Sequence, residues 1–316
     1  VCNKLNKPGD RCLLRAGTYL VDEAATVSIG DLQGTSTQPI VIAAAGDGPV
    51  LIDGTAPIPG SGWKPAPEVG VGVSRLSLPL TDIPEVYQLF AEKSDATAES
   101  RGEDRYEMQV PARWPNAFFY DESMFMGPER WAHASVVSEH EPTSGSGVII
   151  DSGACKKNEM CCSNCNHNDL AASKIDATGA VAVMDFWKDA AGMEIVREHK
   201  RGSSRLEYES NWCNDDEVCK TKYKDGKGRY FLEGALSLLD MPTEWYYEKS
   251  GTLYYKGDTT RLRHKVGTYA FSFDGRASHV TIANISFFAC SLFAYADEVI
   301  TSFDNLRFES LNFTYP

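Results

Sequence analysis

The sequence contains no run of 18 apolar residues, so nothing in it reads as a membrane-spanning helix. It has no HExxH, no GxSxG, no glycine-rich phosphate loop and no EF-hand pattern. Those absences remove the common local signatures of zinc proteases, serine hydrolases, nucleotide binders and calcium sensors. No cofactor or metal is expected. The chain is also short of positive charge. Its 31 Lys and Arg face 44 Asp and Glu, for a net charge of −13. An acidic chain repels phosphate backbones, so nucleic acid is not an expected partner. No Met opens the sequence and no leader is visible, and the chain is expected to be a processed or trimmed product.

What is present is β-rich. The last stretch, Tyr269 to Pro316, matches itself at an offset of 26 residues. Val280 falls on Leu306, Ile282 on Phe308, Asn284 on Ser310, Ile285 on Leu311 and Phe287 on Phe313. Period-2 alternation inside a fixed repeat predicts a β solenoid. The last rung would leave an unpaired edge and an open apolar core, so self-association or a second extracellular subunit is an expected partner. The opening, from Pro8 to Ala24, and the runs at Thr26 to Ile29, Pro39 to Ala44 and Val50 to Asp53 read as short strands punctuated by Gly, Asp and Pro. Residues 57–75 are rich in Pro and Gly around Trp63 and read as a loop. Residues 92–107 form a charged stretch expected to be an exposed, mobile loop. The run Lys220 to Arg229 is basic and reads as a solvated loop or a landing patch for an acidic polysaccharide. Residues 229–257 carry two hairpin signals, with Ser250-Gly251 at the second turn.

The nine cysteines point to an oxidising compartment. Six of them, Cys155, Cys161, Cys162, Cys165, Cys213 and Cys219, sit in polar stretches that would not hold a shape unaided. Cross-links of about 2–4 kcal/mol each would hold them. A zinc site at Cys162 and Cys165 with His167 is the rival reading. Cys2 and Cys12 are a plausible N-terminal pair, and Cys290, in an apolar run, is expected to be a buried thiol. Two sequons agree with a secreted glycoprotein carrying N-linked glycan. Asn312-Phe313-Thr314 alternates outward, whereas Asn284-Ile285-Ser286 lies at a corner, where Asn also serves as a turn residue.

Several motifs in preserved order resemble secreted right-handed parallel β-helix proteins of the glycoside hydrolase and polysaccharide lyase type. They are Pro8-Gly9-Asp10 with Ala16-Gly17-Thr18-Tyr19, then Pro39, Ile40, Ile42, Ala44, Gly46, Val50, Ile52 and Gly54. QLF with ARWPN and the segment LLDMPTEWYYEKSGTLYY follow. In that segment Thr243 stands where the family has Gly, so its backbone is expected to avoid positive φ. The resemblance implies an all-β right-handed parallel β-helix with a β-rich, disulfide-bonded insertion. The expected parts are N-terminal rungs over 1–56, an insertion with cysteine-rich loops over 57–265, and resumed rungs over 266–316.

The matched residues all look structural, so no catalytic residue carries over. Glycoside hydrolysis needs two carboxylates about 5–10 Å apart. The acids that can face outward are Asp274, Asp297, Glu298, Asp304 and Glu309, and no pair is singled out by spacing. Lyase chemistry needs a neutralised uronate and a base, and Arg261, Arg263, His264, Lys265 and Arg276 lie close in sequence. Trp63, Trp114, Trp131 and Tyr247 are candidate glycan-stacking aromatics. The leading expectation is an extracellular, non-catalytic structural subunit of a cell-surface or filamentous assembly. The alternative is part of a secreted carbohydrate-active enzyme, or a glycan-binding module, with polysaccharide as partner.

Overall fold

Short segments alternating apolar and polar residues favour strands, and a computed structural model of the chain is all-β apart from short helical turns. The structure describes residues 5–21, 27–29, 31–81, 83, 85–117, 130–138, 147–151, 168–187, 190–209, 228–266, 269–273, 276–294 and 303–316. No helix among them is long and apolar enough to cross a membrane. The chain divides into two compact units. One comprises residues 1–60, 86–108 and 260–316, and the other 61–85 and 109–259.

In the first unit, small parallel ladders stack apolar side chains in columns. Arg11–Leu14, Ile40–Ala44, Val280–Ala283 and Arg307–Glu309 are neighbours in that order, which lines up Cys12, Ile42, Ile282 and Phe308. Gly17–Leu20, Val50–Asp53, Ser286–Phe288 and Asn312–Thr314 do the same for Tyr19, Ile52, Phe287 and Phe313. Phe287 and Phe313 stack with centroids 4.8 Å apart and ring planes nearly parallel. Ile42, Ile52, Ile282, Ile285 and Phe287 are buried in the same core.

The corners between these short strands are left-handed. His279 and Asn305 have φ of 52° and 53°, Asn284 and Ser310 57° and 51°, and Ala289 and Tyr315 54° each. Each pair is 26 residues apart, so the offset seen in the sequence is an offset of corners as well as of core residues. Two glycines fit beneath them. A Cβ on Gly34 would lie 2.5 Å from the His279 carbonyl oxygen, and one on Gly54 2.6 Å from that of Ala289. Three further strands of this unit pair antiparallel. Leu262–Lys265 lies between Thr55–Pro57 and Leu89–Glu92.

The second unit holds a closed barrel. Gly228–Glu233, Ala132–Ser138, Gly147–Asp151, Arg205–Tyr208, Ala190–His199 and Val181–Trp187 each pair antiparallel with the next, and the last returns to the first. Ala132, Ala134 and Ala182 leave room inside for Tyr208 and Tyr230, both fully buried. The Tyr230 hydroxyl donates to Asp151 at 2.6 Å. Beside the barrel strands, Glu244–Glu248 and Thr252–Lys256 form the expected hairpin, with Gly251 at φ 91° in its turn. Glu244 is buried and ties two segments together. Its carboxylate accepts from the backbone N–H groups of Arg113, Asp240 and Met241 at 3.2, 2.9 and 3.0 Å.

The right-handed parallel β-helix is therefore not the architecture of this chain. The all-β class holds, but among the described residues parallel pairing is limited to sheets of three and four strands and to one short ladder, Val110 and Pro111 against Glu244 and Trp245. A closed six-stranded antiparallel barrel and mainly antiparallel ladders make up the rest. Alternation with period 2 does not reveal the direction of a neighbouring strand. Loop length does: only two residues separate Val181–Trp187 from Ala190–His199, too few for a parallel crossover. The disulfide-bonded insertion is corrected too, since no disulfide joins two described residues. Cys2, Cys155, Cys161, Cys162, Cys165, Cys213 and Cys219 lie outside the described residues. Cys12 is disulfide-bonded, and Cys290 is a buried free thiol. The charged stretch expected to be mobile is tied down at several points. Lys93 N–H donates to Arg105 O at 2.8 Å, and Arg101 reaches the Thr18 hydroxyl at 2.9 Å.

Candidate functional site

The strand Leu262–Lys265 sorts its residues by alternation. Leu262 and His264 point into the core, and Arg263 and Lys265 lie on the other side with Arg261 just before them. Its two antiparallel neighbours bring acids to either end of that row. Glu92 closes the strand Leu89–Glu92 beside Arg261, and Asp53 lies next to Thr55, whose register partner is Lys265.

At the Glu92 end the carboxylate sits in a fork of two guanidiniums. Arg261 Nη1 donates to Oε2 at 2.6 Å. Arg105 Nε and Nη2 donate to Oε1 at 2.9 and 2.8 Å. The Arg261 hydrogen bond holds the Glu92 carboxyl below the usual range, and Arg105 adds to it. The Arg261 side chain is 76% exposed and its backbone is left-handed at φ 59°. A bulky residue there carries strain of about 1–2 kcal/mol. In the middle, Arg263 donates to the Thr55 hydroxyl at 2.6 Å and to its carbonyl at 2.7 Å. The guanidiniums of Arg105 and Arg263 lie 5.6 and 5.5 Å from the centre of the Tyr106 ring, close enough for cation–π attraction.

At the other end Asp53 is buried. It accepts from the Thr55 N–H at 2.9 Å and hydroxyl at 2.7 Å. Burial raises its carboxyl, and the Thr55 hydroxyl and Arg263 oppose that rise. Burial also lowers Lys265 and pushes Cys290 up to about 12. The His264 ring is buried and held low by desolvation. The Asp53 carboxylate lies 3.9 Å from the Arg263 guanidinium, whereas Glu92 is engaged by Arg261 and Arg105. Both carboxylates are thus taken up, Glu92 by two guanidiniums and Asp53 by the Thr55 N–H and hydroxyl. The arrangement suits binding of anionic or hydroxyl-rich groups better than acid–base cleavage.

Of the residues expected from sequence, Arg261, Arg263 and Lys265 come together here. His264 turns inward, and Arg276 lies elsewhere, its N–H donating to Asp31 at 3.3 Å. Asp304 and Glu309 are exposed and engaged locally with Asn305 and Arg307. Asp274, Asp297 and Glu298 lie outside the described residues, as does most of the basic run Lys220 to Arg229. Trp114 and Trp131 are buried, Trp63 is half-buried, and the Tyr247 hydroxyl is held by the Ile83 carbonyl at 2.9 Å. Asn284 and Asn312 are both exposed. Sequence reasoning missed Glu92, Arg105, Tyr106, Asp53 and Thr55. Glu92 and Arg105 bracket the charged stretch, and charge alone did not distinguish them from its solvated interior.

No protein-family model matches the chain, and no curated protein matches it. Among solved structures, a chain described as "Glycoside hydrolase" is 17% identical at a TM-score of 0.58. The likeness covers 89% of this chain and 43% of that one. "The complex structure of XylC with xylose" is 11% identical over 90% of this chain and 31% of that one, at a TM-score of 0.28, too low to carry an argument. The chain spans less than half the length of the glycoside hydrolase it resembles, and at this identity the likeness is one of fold.

Proposed function

We propose that the chain is part of a secreted carbohydrate-active protein of the glycoside hydrolase kind, and that it contributes glycan contact rather than bond cleavage. The observation that carries this reading is the fold likeness to a glycoside hydrolase over 89% of the chain. The engagement of Glu92 by two guanidiniums and of Asp53 by Thr55 favours contact over cleavage, and the disulfide at Cys12 favours an oxidising, extracellular compartment. The structural-subunit reading gains no comparable support. The test is a panel of neutral and acidic polysaccharides, assayed for retention of the purified protein and for release of reducing ends. Retention without release is the expected result. A chain that retains no glycan sinks the proposal, and one that releases reducing ends overturns its non-cleaving part.

A further inference from the structure

The chain is acidic overall, yet the Leu262–Lys265 strand and its neighbours gather cations. Arg105 and Arg261 pair with Glu92, and Arg263 lies 3.9 Å from Asp53, so three guanidiniums meet two carboxylates. On a molecule of net charge −13 this is a local gathering of guanidiniums. Its outermost member is also its most strained. Arg261 combines a left-handed backbone with a side chain 76% exposed. A glycine would hold that backbone without strain, so the guanidinium is kept there despite the backbone.

The hydrogen bonds leave donors to spare. A guanidinium offers five N–H groups in a fixed fork. Among the described residues Arg261 donates only from Nη1, to Glu92, and Arg105 only from Nε and Nη2, also to Glu92. The outer N–H groups of both are therefore open to an external acceptor. Glu92 holds the two side chains in place, which lowers the entropy lost when a ligand binds. Paired N–H groups of this kind match the planar oxygens of a carboxylate and the oxygens of a sulfate. A neutral sugar hydroxyl needs neither the charge nor the fork.

We propose that the Arg105–Glu92–Arg261 fork binds an anionic glycan, seating a sugar carboxylate or sulfate on the outer N–H groups of Arg261 and Arg105. This rests on the glycan-contact reading above and names the class of glycan it takes.

The experiment is affinity electrophoresis of the full chain through gels holding polygalacturonate, chondroitin sulfate or a neutral β-glucan. Arg261→Gly and Arg105→Ala are run beside the wild type, with melting temperatures for all three. The wild type is expected to be retained by one or both anionic polymers, and which one tells carboxylate from sulfate. Arg261→Gly is expected to weaken that retention at least tenfold while melting close to the wild type, because relief of the strained backbone offsets the lost bond to Glu92 and the added freedom of unfolded glycine. Arg105→Ala weakens it as well. Unchanged retention of an anionic polymer by both variants overturns the fork as the contact. Retention by the neutral polymer alone overturns this inference and leaves the glycan-contact reading standing. Retention by none of the three, nor by any polymer of the wider panel, removes both.

Discussion

Single backbone positions carry much of what is specific to this chain. Thr243 was expected to avoid positive φ, since it stands where Gly is usual, yet its φ is 74°. The turn is held from both sides: Thr243 N–H donates to Lys256 O at 2.8 Å and its carbonyl accepts from Val110 at 3.1 Å. The ladder bonds thus impose a conformation that a β-branched residue disfavours. Thr243→Gly is expected to raise unfolding stability by about 1 kcal/mol, the strain relieved minus the added freedom of the unfolded glycine. Urea denaturation reads this directly, and a lower midpoint would refute it. Gly54→Ala should do the opposite. Its Cβ would meet the Ala289 carbonyl oxygen at 2.6 Å and Cys290 Cβ at 2.7 Å, so a loss of about 1–3 kcal/mol is expected by the same measurement. At this scale the sequence was partly legible. Asn284 and Ser310 are small polar residues at a repeated corner, and both are left-handed. Arg261, Ala289 and Tyr315 are left-handed too, and nothing in their chemistry announces it.

Elements were legible as strands and illegible as partners. The hairpin Glu244–Glu248 with Thr252–Lys256 follows from its Ser-Gly turn. The columns through Ile282 and Phe287 follow from the 26-residue offset. The barrel strands alternate just as clearly, but each pairs with a segment that alternation cannot name. The candidate site was half legible for the same reason. Arg261, Arg263 and Lys265 stand out on one strand, whereas Glu92 and Asp53 are brought to it by pairing. Glu244 shows what a buried link between elements does. Burial pushes its carboxyl up to about 7, against the pull of three backbone N–H groups. An unfolded Glu loses its proton near 4.5. The native state therefore holds an extra proton between these values. That contribution is complete below about pH 4.5 and is lost as pH rises through about 7, on the order of 3 kcal/mol. Unfolding midpoints are expected to fall from pH 5 to pH 8, and Glu244→Gln to flatten the fall. A profile that rises over that range in the wild type would show the carboxylate to be the favoured form.

For the whole molecule, the net charge of −13 and the cationic fork act over different distances. At about 0.01 M salt, charges interact over about 30 Å, so a polyanion meets the repulsion of the entire chain. At about 0.15 M the range shrinks to about 8 Å and leaves the contact with Arg105 and Arg261 dominant. Calorimetric titration with polygalacturonate is expected to show tighter binding at about 0.15 M than at about 0.01 M, then weakening towards about 1 M. A steady decline from the lowest salt would mean that the fork outweighs the rest of the surface even at long range.

The barrel imposes an order in time. Its closing strand, Gly228–Glu233, is the last of the six to be synthesised, and it meets Ala132–Ser138 along one edge and Val181–Trp187 along the other. From the first barrel strand to the last, about 100 residues leave the ribosome. At about 5–20 residues per second that takes about 5–20 s, during which the ring stays open and its edges can pair with other chains. The nascent protein is therefore most exposed to aggregation just before Glu233 emerges, and slower translation upstream of that point prolongs the exposure.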